Sequence, residues 1–310
     1  MIAFVFPGQG SQKLNMLQDF YHESIVQETF AEASEVLGFN LLDLIQHHEA
    51  KLNQTAFTQP AILTASIALY RLWLAATSAE PDYLAGHSLG EYSALVAAGV
   101  LSFTDAVKLV HLRGQLMQEA VPEGKGAMAV ILGLDDRGVI EACAAAAQGA
   151  IVSAANFNAP GQVVIAGESL AVNRAMETAK AMGAKRALPL AVSVPSHCLL
   201  MHSAAEKLAQ HFETIAFHSP RLKVVHNVDA ALHIDIAGIK EALVKQLDQP
   251  VLWVKSMQVL EGLGVNTFVE CGPGKVLTGL NKRIVAEGQF FSLEDQAGFT
   301  EGSNASWIKK

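Results

Sequence analysis

Tyr83-Leu84-Ala85-Gly86-His87-Ser88-Leu89-Gly90-Glu91-Tyr92-Ser93-Ala94-Leu95 is the stretch on which the reading of this chain turns. A short apolar run gives way to Gly-His-Ser-Leu-Gly and then to helix-forming residues. That is the strand, sharp turn and helix of a G-x-S-x-G elbow. The tip of such a turn is strained, and side chains on either side of it would collide with the strand or the helix. Glycine at 86 and 90 removes those collisions. The turn exposes the Ser88 hydroxyl and aims the first amides of the next helix at the same point. Those amides lack intrahelical partners and lie at the positive end of the helix dipole, so they suit a developing oxyanion. The plainer alternative is a strand-to-helix turn that happens to use Gly and Ser.

Working outward from the elbow, residues 2–6 form a β-rich run ending in Phe6-Pro7-Gly8-Gln9-Gly10-Ser11-Gln12. Lys13 stands where a dinucleotide loop would place its third glycine, so that cofactor reading is set aside. Gly8 and Gly10 instead allow close approach of the backbone to a reacting group, with a nearby amide as second oxyanion donor. In hydrolase-like elbows that donor does come from a loop outside the nucleophile segment. Helical spacing of apolar residues runs through 25–37 and 61–73, the latter starting at Gln59-Pro60. After Phe103-Thr104-Asp105 comes a helix carrying Val107, Leu109, Val110, Leu112, Leu116 and Met117, with Arg113 among them.

Beyond Pro122-Glu123-Gly124-Lys125-Gly126 the pattern changes style. Strands are expected near 127–132, 151–155, 162–166 and 185–190, with helices near 136–147 and 169–182 and a turn through Asn158-Ala159-Pro160-Gly161. The order βαββαβ is ferredoxin-like and suits an inserted subdomain. The expected fold class is therefore α/β, with a large unit over 1–123 and 194–310 and a small one over 124–193. In the second half of the large unit, helices are expected near 199–211, 237–247 and 253–263, strands at 222–225 and 267–270, and a last helix to about 285. Gly274-Lys275 lacks the rest of a phosphate loop. From 287 onward the periodicity dissolves, and the tail is expected to be peripheral.

The 310 residues are 51% hydrophobic and 17% charged, which suits one large domain or two with a large core. A net charge of -8 carries no basic face for nucleic acid. Three cysteines, Cys143, Cys198 and Cys271, stand far apart and form no C-x-x-C, so a reducing, cytoplasmic setting is expected. The N-terminus reads as a first strand, without the basic region of a signal peptide. No apolar run is expected to reach the length of a membrane span.

Ser88 needs a base, because an unassisted hydroxyl is a poor nucleophile at neutral pH. Among 11 histidines, His87 is Ser88's neighbour, and neighbours on a sharp turn point apart. His47 and His48 lie on a polar stretch and read as solvated. His197 follows a strand end behind Pro195, where α/β proteins expose functional groups. It is the candidate base, the alternative being a capped or partly buried histidine. Glu91 and Asp105 read as acids of helix first turns. The group that orients the histidine could equally be a backbone carbonyl, and position alone leaves it open.

The six motifs Phe6-Pro7-Gly8-Gln9-Gly10-Ser11-Gln12, Gly86-His87-Ser88-Leu89-Gly90-Glu91-Tyr92, Arg113-Gly114, Asn156-Phe157-Asn158, Pro195-Ser196-His197 and Gly272-Pro273-Gly274 occur in one order. Together they resemble the malonyl-CoA:acyl carrier protein transacylases of type II fatty acid synthesis, over about residues 1 to 285. The resemblance implies an α/β-hydrolase-like domain with a ferredoxin-like insert, in agreement with the strand order. It implies Ser88 as acylated nucleophile, His197 as base, and Gln246, ahead of Pro250-Val251, as the residue whose backbone carbonyl orients the histidine. The amides of Gln9 and Leu89 become the oxyanion hole, and Arg113 the partner of the malonyl carboxylate. Met117 and Asn158 become further substrate contacts. Ala159 departs from a commoner serine.

The implied activity is a ping-pong transfer of malonyl from malonyl-CoA to holo acyl carrier protein, with no metal, nucleotide or redox cofactor, no nucleic acid, no membrane and a monomeric enzyme. Carrier proteins of this kind are acidic, which makes Lys180, Lys185, Arg186, Lys275, Lys282 and Arg283 candidates for an electropositive lip. The rivals are a thioesterase or esterase, a catalytically silent docking subunit, and a stand-alone acyltransferase serving a polyketide synthase. Arg113 speaks against the esterase, and the intact Ser88 and His197 against the silent subunit.

Overall fold

The computed structural model describes residues 1–192, 194–305 and 308. Nine strands form among them: β1 (Ile2–Phe6), β2 (Tyr83–Gly86), β3 (Gly126–Leu132), β4 (Val152–Ala159), β5 (Gln162–Glu168), β6 (Arg186–Pro189), β7 (Lys223–Val225), β8 (Thr267–Glu270) and β9 (Gln289–Ser292). Five make a sheet in the order β7-β2-β1-β8-β9, with every pairing parallel. Parallel strands are covered by helices on both faces and so read as continuous apolar runs. β2 is accordingly buried along its whole length, and β1 from its second residue. Phe6 of β1 lies opposite Gly86 of β2. That register brings the Pro7–Ser11 loop and the Ser88 turn out side by side, at the strand ends where α/β sheets bind ligands.

The other sheet is antiparallel, in the order β4-β5-β3-β6, the arrangement expected of a ferredoxin-like unit. Helices Asp136–Ala147 and Ser169–Ala181 cover one face around Ile131, Val163 and Ile165. On the other, Met128, Val164 and Ala166 pack with Cys198 of the large unit. β4 runs on through the expected turn to Ala159, with register shifts on the way. It also bridges to the large unit, where Phe157 N donates to Val251 O and Val251 N to Ala155 O, both at 2.9 Å. The tight turn is therefore left to Pro160-Gly161, and Gly161 takes a positive φ of 68°. The expected end of the small unit, Ser193, lies outside the described residues.

Two expectations are corrected. The helix placed from 61 begins at Thr55 and runs to Thr77, with Pro60 inside it. Proline cannot donate to the carbonyl four residues back. That carbonyl, Ala56 O, instead receives His111 Nδ1–H at 2.7 Å. At 23 residues this helix is also long and apolar enough by composition to cross a membrane. It is apolar on all sides because helices and sheet pack around it, as befits a core helix.

The tail is the other correction. β9 adds an edge strand parallel to β8, and helix Gln296–Ser303 buries Phe299 against Phe20 and Trp73 at ring separations of 5.5 and 5.9 Å. A four-residue edge strand followed by a two-turn helix is too short for either periodicity to show.

Candidate active site

The elbow is built as its glycines predict. A Cβ on Gly86 would run into the Gly90 carbonyl, and one on Gly90 into the Phe6 carbonyl. Ser88 sits at φ 52°, a strained value for a residue with a side chain. Its amide donates to Asn227 Oδ1 at 2.7 Å, and Asn227 Nδ2 donates to Gly86 O at 2.6 Å. Asn227, just past the end of β7, thus clamps the turn from both sides.

Ser88 Oγ lies 2.7 Å from His197 Nε2, and His197 Nδ1 lies 2.6 Å from the Gln246 carbonyl oxygen. A carbonyl can only accept, so Nδ1 carries the proton in the neutral ring. Nε2 is left bare to accept from the serine. His197 is buried and itself adopts a positive φ of 62°, with its amide held by Leu247 O at 3.0 Å. Burial, reinforced by the nearby Arg113 charge, pushes its pKa down to about 3. The imidazole is therefore a neutral acceptor at pH 7.

His87 points elsewhere, as neighbours on a sharp turn do. Its Nε2 donates to Asn158 Oδ1 at 2.7 Å, and its ring lies 5.4 Å from that of Trp253. Burial lowers its pKa too. Asn158 thus lines the cavity while holding His87. His47 and His48 are exposed, both bonded to Asp43.

The Ser88 amide is engaged by Asn227, and the amides expected to form the oxyanion hole are those of Gln9 and Leu89. Among the described residues neither donates to a protein acceptor. Both residues line the cavity that Ser88 faces, and Leu89 stands at the N-terminus of helix Gly90–Ala97.

That cavity, of about 190 Å³, lies between the two sheets. Ser88, His197, Gln9 and Met117 line it from the large unit and Met128, Val164 and Asn158 from the antiparallel sheet, with Leu190, Val192 and Arg113 also in its wall. Arg113, on helix Phe103–Ala120, is 1% exposed. Its Nη1 donates to Gln59 Oε1 at 2.8 Å and its Nη2 to Gln246 Oε1 at 3.0 Å, and the guanidinium lies 5.4 Å from the Tyr92 ring centre. Among the described residues it forms no ion pair with a carboxylate. Its Nε, also buried, has no hydrogen-bond partner among the described residues. Removal from water lowers its pKa.

Glu91 does more than begin a helix. Wholly buried, it accepts from His226 Nδ1 at 2.7 Å, Asn227 N at 3.0 Å and Gln246 Nε2 at 2.8 Å. Asp105 keeps the simpler part, with its amide bonded to Ser102 Oγ at 3.1 Å. Of the expected lip cations, Lys275 precedes the cavity-lining Val276 and pairs with Asp295 at 2.9 Å. Lys180 pairs with Glu177, and Arg283 donates to Gln162 and to Pro160 O.

Sequence reasoning missed Asn227, Gln59 and the side chain of Gln246. Asn227 had a signal in its position after a strand end, and Gln59 in being a long polar residue at the head of an apolar helical run. Gln246 was singled out for its backbone alone.

The acyl transferase domain family matches residues 3–295, past the point where the motif resemblance ends. The malonyl CoA-acyl carrier protein transacylase of Escherichia coli strain K12 is 58% identical over 285 residues, covering 91% of this chain and 92% of that protein. The crystal structure of an acyl carrier protein S-malonyltransferase from Vibrio cholerae superposes with a TM-score of 0.95 at 53% identity, covering 97% of this chain and 99% of the other. A malonyl-transacylase solved in complex with its type II PKS acyl-carrier protein gives a TM-score of 0.95 at 54% identity, covering 97% and 98%.

Proposed function

The chain belongs to the acyl transferase family, and from that premise we propose that it carries malonyl from malonyl-CoA to the phosphopantetheine thiol of acyl carrier protein by way of Ser88. One observation carries the reading most. A serine hydroxyl 2.7 Å from a neutral imidazole shares its cavity with a buried guanidinium that has no carboxylate partner among the described residues. The first group suits acyl transfer; the second suits an acyl group that brings its own anion.

In the first half-reaction, Ser88 Oγ attacks the malonyl thioester carbon while His197 Nε2 takes the hydroxyl proton. The oxyanion of the tetrahedral adduct lies on the Gln9 and Leu89 amides. The Gln246 carbonyl holds the imidazolium by its Nδ1–H. Collapse breaks the carbon–sulfur bond, and His197 returns its proton to the departing CoA sulfur. In the second half, the carrier thiol gives its proton to His197 and attacks the malonyl-serine ester. Ser88 is then released with the proton back on its oxygen. One thioester replaces another, so the exchange runs either way. Arg113 pairs with the malonyl carboxylate throughout, and Met117 and Asn158 complete the pocket.

The same reading takes the enzyme as a monomer acting away from membranes. Three free, buried cysteines fit a cytoplasmic setting. The division into 1–123 with 194–310 and 124–193 is supported by the two sheets and their separate cores.

Intact mass after incubation with malonyl-CoA tests the scheme. A malonyl adduct is expected, mapping to Ser88 and discharged by holo acyl carrier protein. An adduct on another residue, or none in a rapidly quenched sample, overturns it. Loss of the adduct to water as fast as to carrier would favour the thioesterase. Similarity to a transacylase that serves a type II PKS carrier favours a second pathway assignment. Discharge rates with fatty-acid and polyketide carriers distinguish the two.

A further inference from the structure

The side chain of Gln246 reaches three parts of the site at once. Its Nε2 donates to the Ser88 carbonyl at 2.9 Å and to Glu91 Oε2 at 2.8 Å, while its Oε1 accepts from Arg113 Nη2 at 3.0 Å. Glu91 and Arg113 are both buried, yet the primary amide stands between them and no ion pair joins them. Opposite charges attract strongly where water is excluded, so a buried acid this near a buried arginine would ordinarily close on it.

We propose that the Gln246 side chain is a specificity-determining spacer, which keeps Glu91 one amide away from Arg113 so that the substrate's carboxylate is the first anion to reach the guanidinium. The proposal rests on Arg113 being the partner of the malonyl carboxylate. Both groups that hold the guanidinium, Gln59 Oε1 and Gln246 Oε1, are neutral amide oxygens. They orient the planar fork without neutralising it. An acid at 246 would form the permanent pair itself and displace the incoming carboxylate. An apolar residue would free Nη2 and let Glu91 approach. Substitution leaves the backbone carbonyl that holds His197, so the two duties of this residue can be separated.

The test compares Gln246→Glu and Gln246→Met with the parent protein, measuring kcat/KM for acylation of Ser88 by malonyl-CoA and by acetyl-CoA. The malonyl-to-acetyl ratio is expected to fall by roughly 100-fold or more in Gln246→Glu, as a buried permanent ion pair competes with substrate. In Gln246→Met it is expected to fall by about 10-fold, the scale of one hydrogen bond to a charged group. Inhibition by free malonate should weaken in parallel. Equal losses for the two acyl groups would mark a merely structural side chain and overturn the proposal, as would an unchanged ratio. Should Gln246→Glu fail to fold, the Gln246→Met ratio decides by the same criterion. A parent protein with no preference for malonyl would instead sink the reading of Arg113 and this proposal with it, a failure visible before any variant is made.

Discussion

The two ends of the cavity are built on opposite principles. Around Ser88 the reacting groups are matched: its amide to Asn227, its hydroxyl to His197, and the far nitrogen of that histidine to the Gln246 carbonyl. Around Arg113 a full positive charge is buried with two neutral oxygens and an aromatic face for company. The first arrangement minimises motion, which acyl transfer needs because reacting atoms must already be in place. The second leaves an electrostatic demand unmet, and burying a charge without its partner is costly. The difference separates chemistry from recognition. Damage at the Ser88 end should slow every acyl group alike, and damage at the Arg113 end should be felt by malonyl alone.

The largest effect expected is at the matched end. His197→Ala should slow acylation by roughly 10²–10⁴-fold for malonyl and acetyl alike, the usual worth of a positioned base. His87→Ala should cost less, because that ring bonds Asn158 and lies tilted beside Trp253, away from the hydroxyl. Stopped-flow acylation that ranks the two histidines the other way would mean that the base has been misassigned.

At the other end, Arg113→Ala should cost roughly 3–5 kcal/mol toward malonyl, the scale for removing one partner of a buried pair. Acetyl brings no charge and meets an unsatisfied cation in the parent protein, so its transfer should be kept or improved. Measured kcat/KM for both thioesters on both proteins gives the answer. Equal losses, together with a lowered Tm, would erase the contrast and make Arg113 structural.

A gentler variant sharpens the matched end. Asn227→Ala removes the acceptor for the Ser88 amide and the donor to Gly86 O, leaving the strained turn less constrained. Acylation by both substrates should slow by about 10-fold, with about 1–3 kcal/mol lost from stability for the unpaired groups. Chemical denaturation and acylation rates measure the two effects. A loss confined to malonyl would show that the clamp belongs to recognition.

The matched end was far more legible in sequence than the unmatched one. Gly86, Ser88 and Gly90 announce their geometry because a tight turn tolerates few residue types. The eight strands expected from alternation and apolar runs all form. The rest depends on contacts that no local pattern encodes. Asn227 reaches Ser88 across 139 positions and Gln246 reaches Arg113 across 133. A buried glutamine whose side chain spans acid and arginine looks, in sequence, like any polar residue near a helix end. The family motif drew attention to its carbonyl, a backbone group that any residue supplies, and so away from the amide that only Gln or Asn could offer. The tail escaped for a different reason: β9 has four residues, too few for a period, and Phe299 is a lone aromatic whose partners lie far back in the chain.

The smallest effect expected joins the two ends through pH. His197 is pushed down to about 3 chiefly by burial and then by the charge of Arg113. The base is therefore neutral throughout the range in which an ordinary histidine, with a pKa near 6.5, would take up a proton. Acylation kcat/KM should stay flat from pH 8 down to about pH 5, since that parameter reports the free enzyme. A tenfold fall per unit below pH 6.5 would show an imidazole of ordinary basicity. Stability follows the opposite course. Between pH 6.5 and about 3 the unfolded chain binds a proton at this position that the folded protein does not. Stability from this group is thus intact above pH 6.5 and falls as pH falls through the window, and His87, lowered by burial in the same sense, adds to it. Rates must be taken where Tm shows the protein folded. Bound malonyl then changes the second cause. Its carboxylate offsets the Arg113 charge, so His197 becomes more basic in the malonyl complex than in the acetyl complex. The kcat profile for malonyl-CoA should accordingly bend at a higher pH than that for acetyl-CoA. Identical bends for the two would mean that the charge on Arg113 does not reach the base, and that recognition and chemistry share a cavity without sharing an electrostatic field.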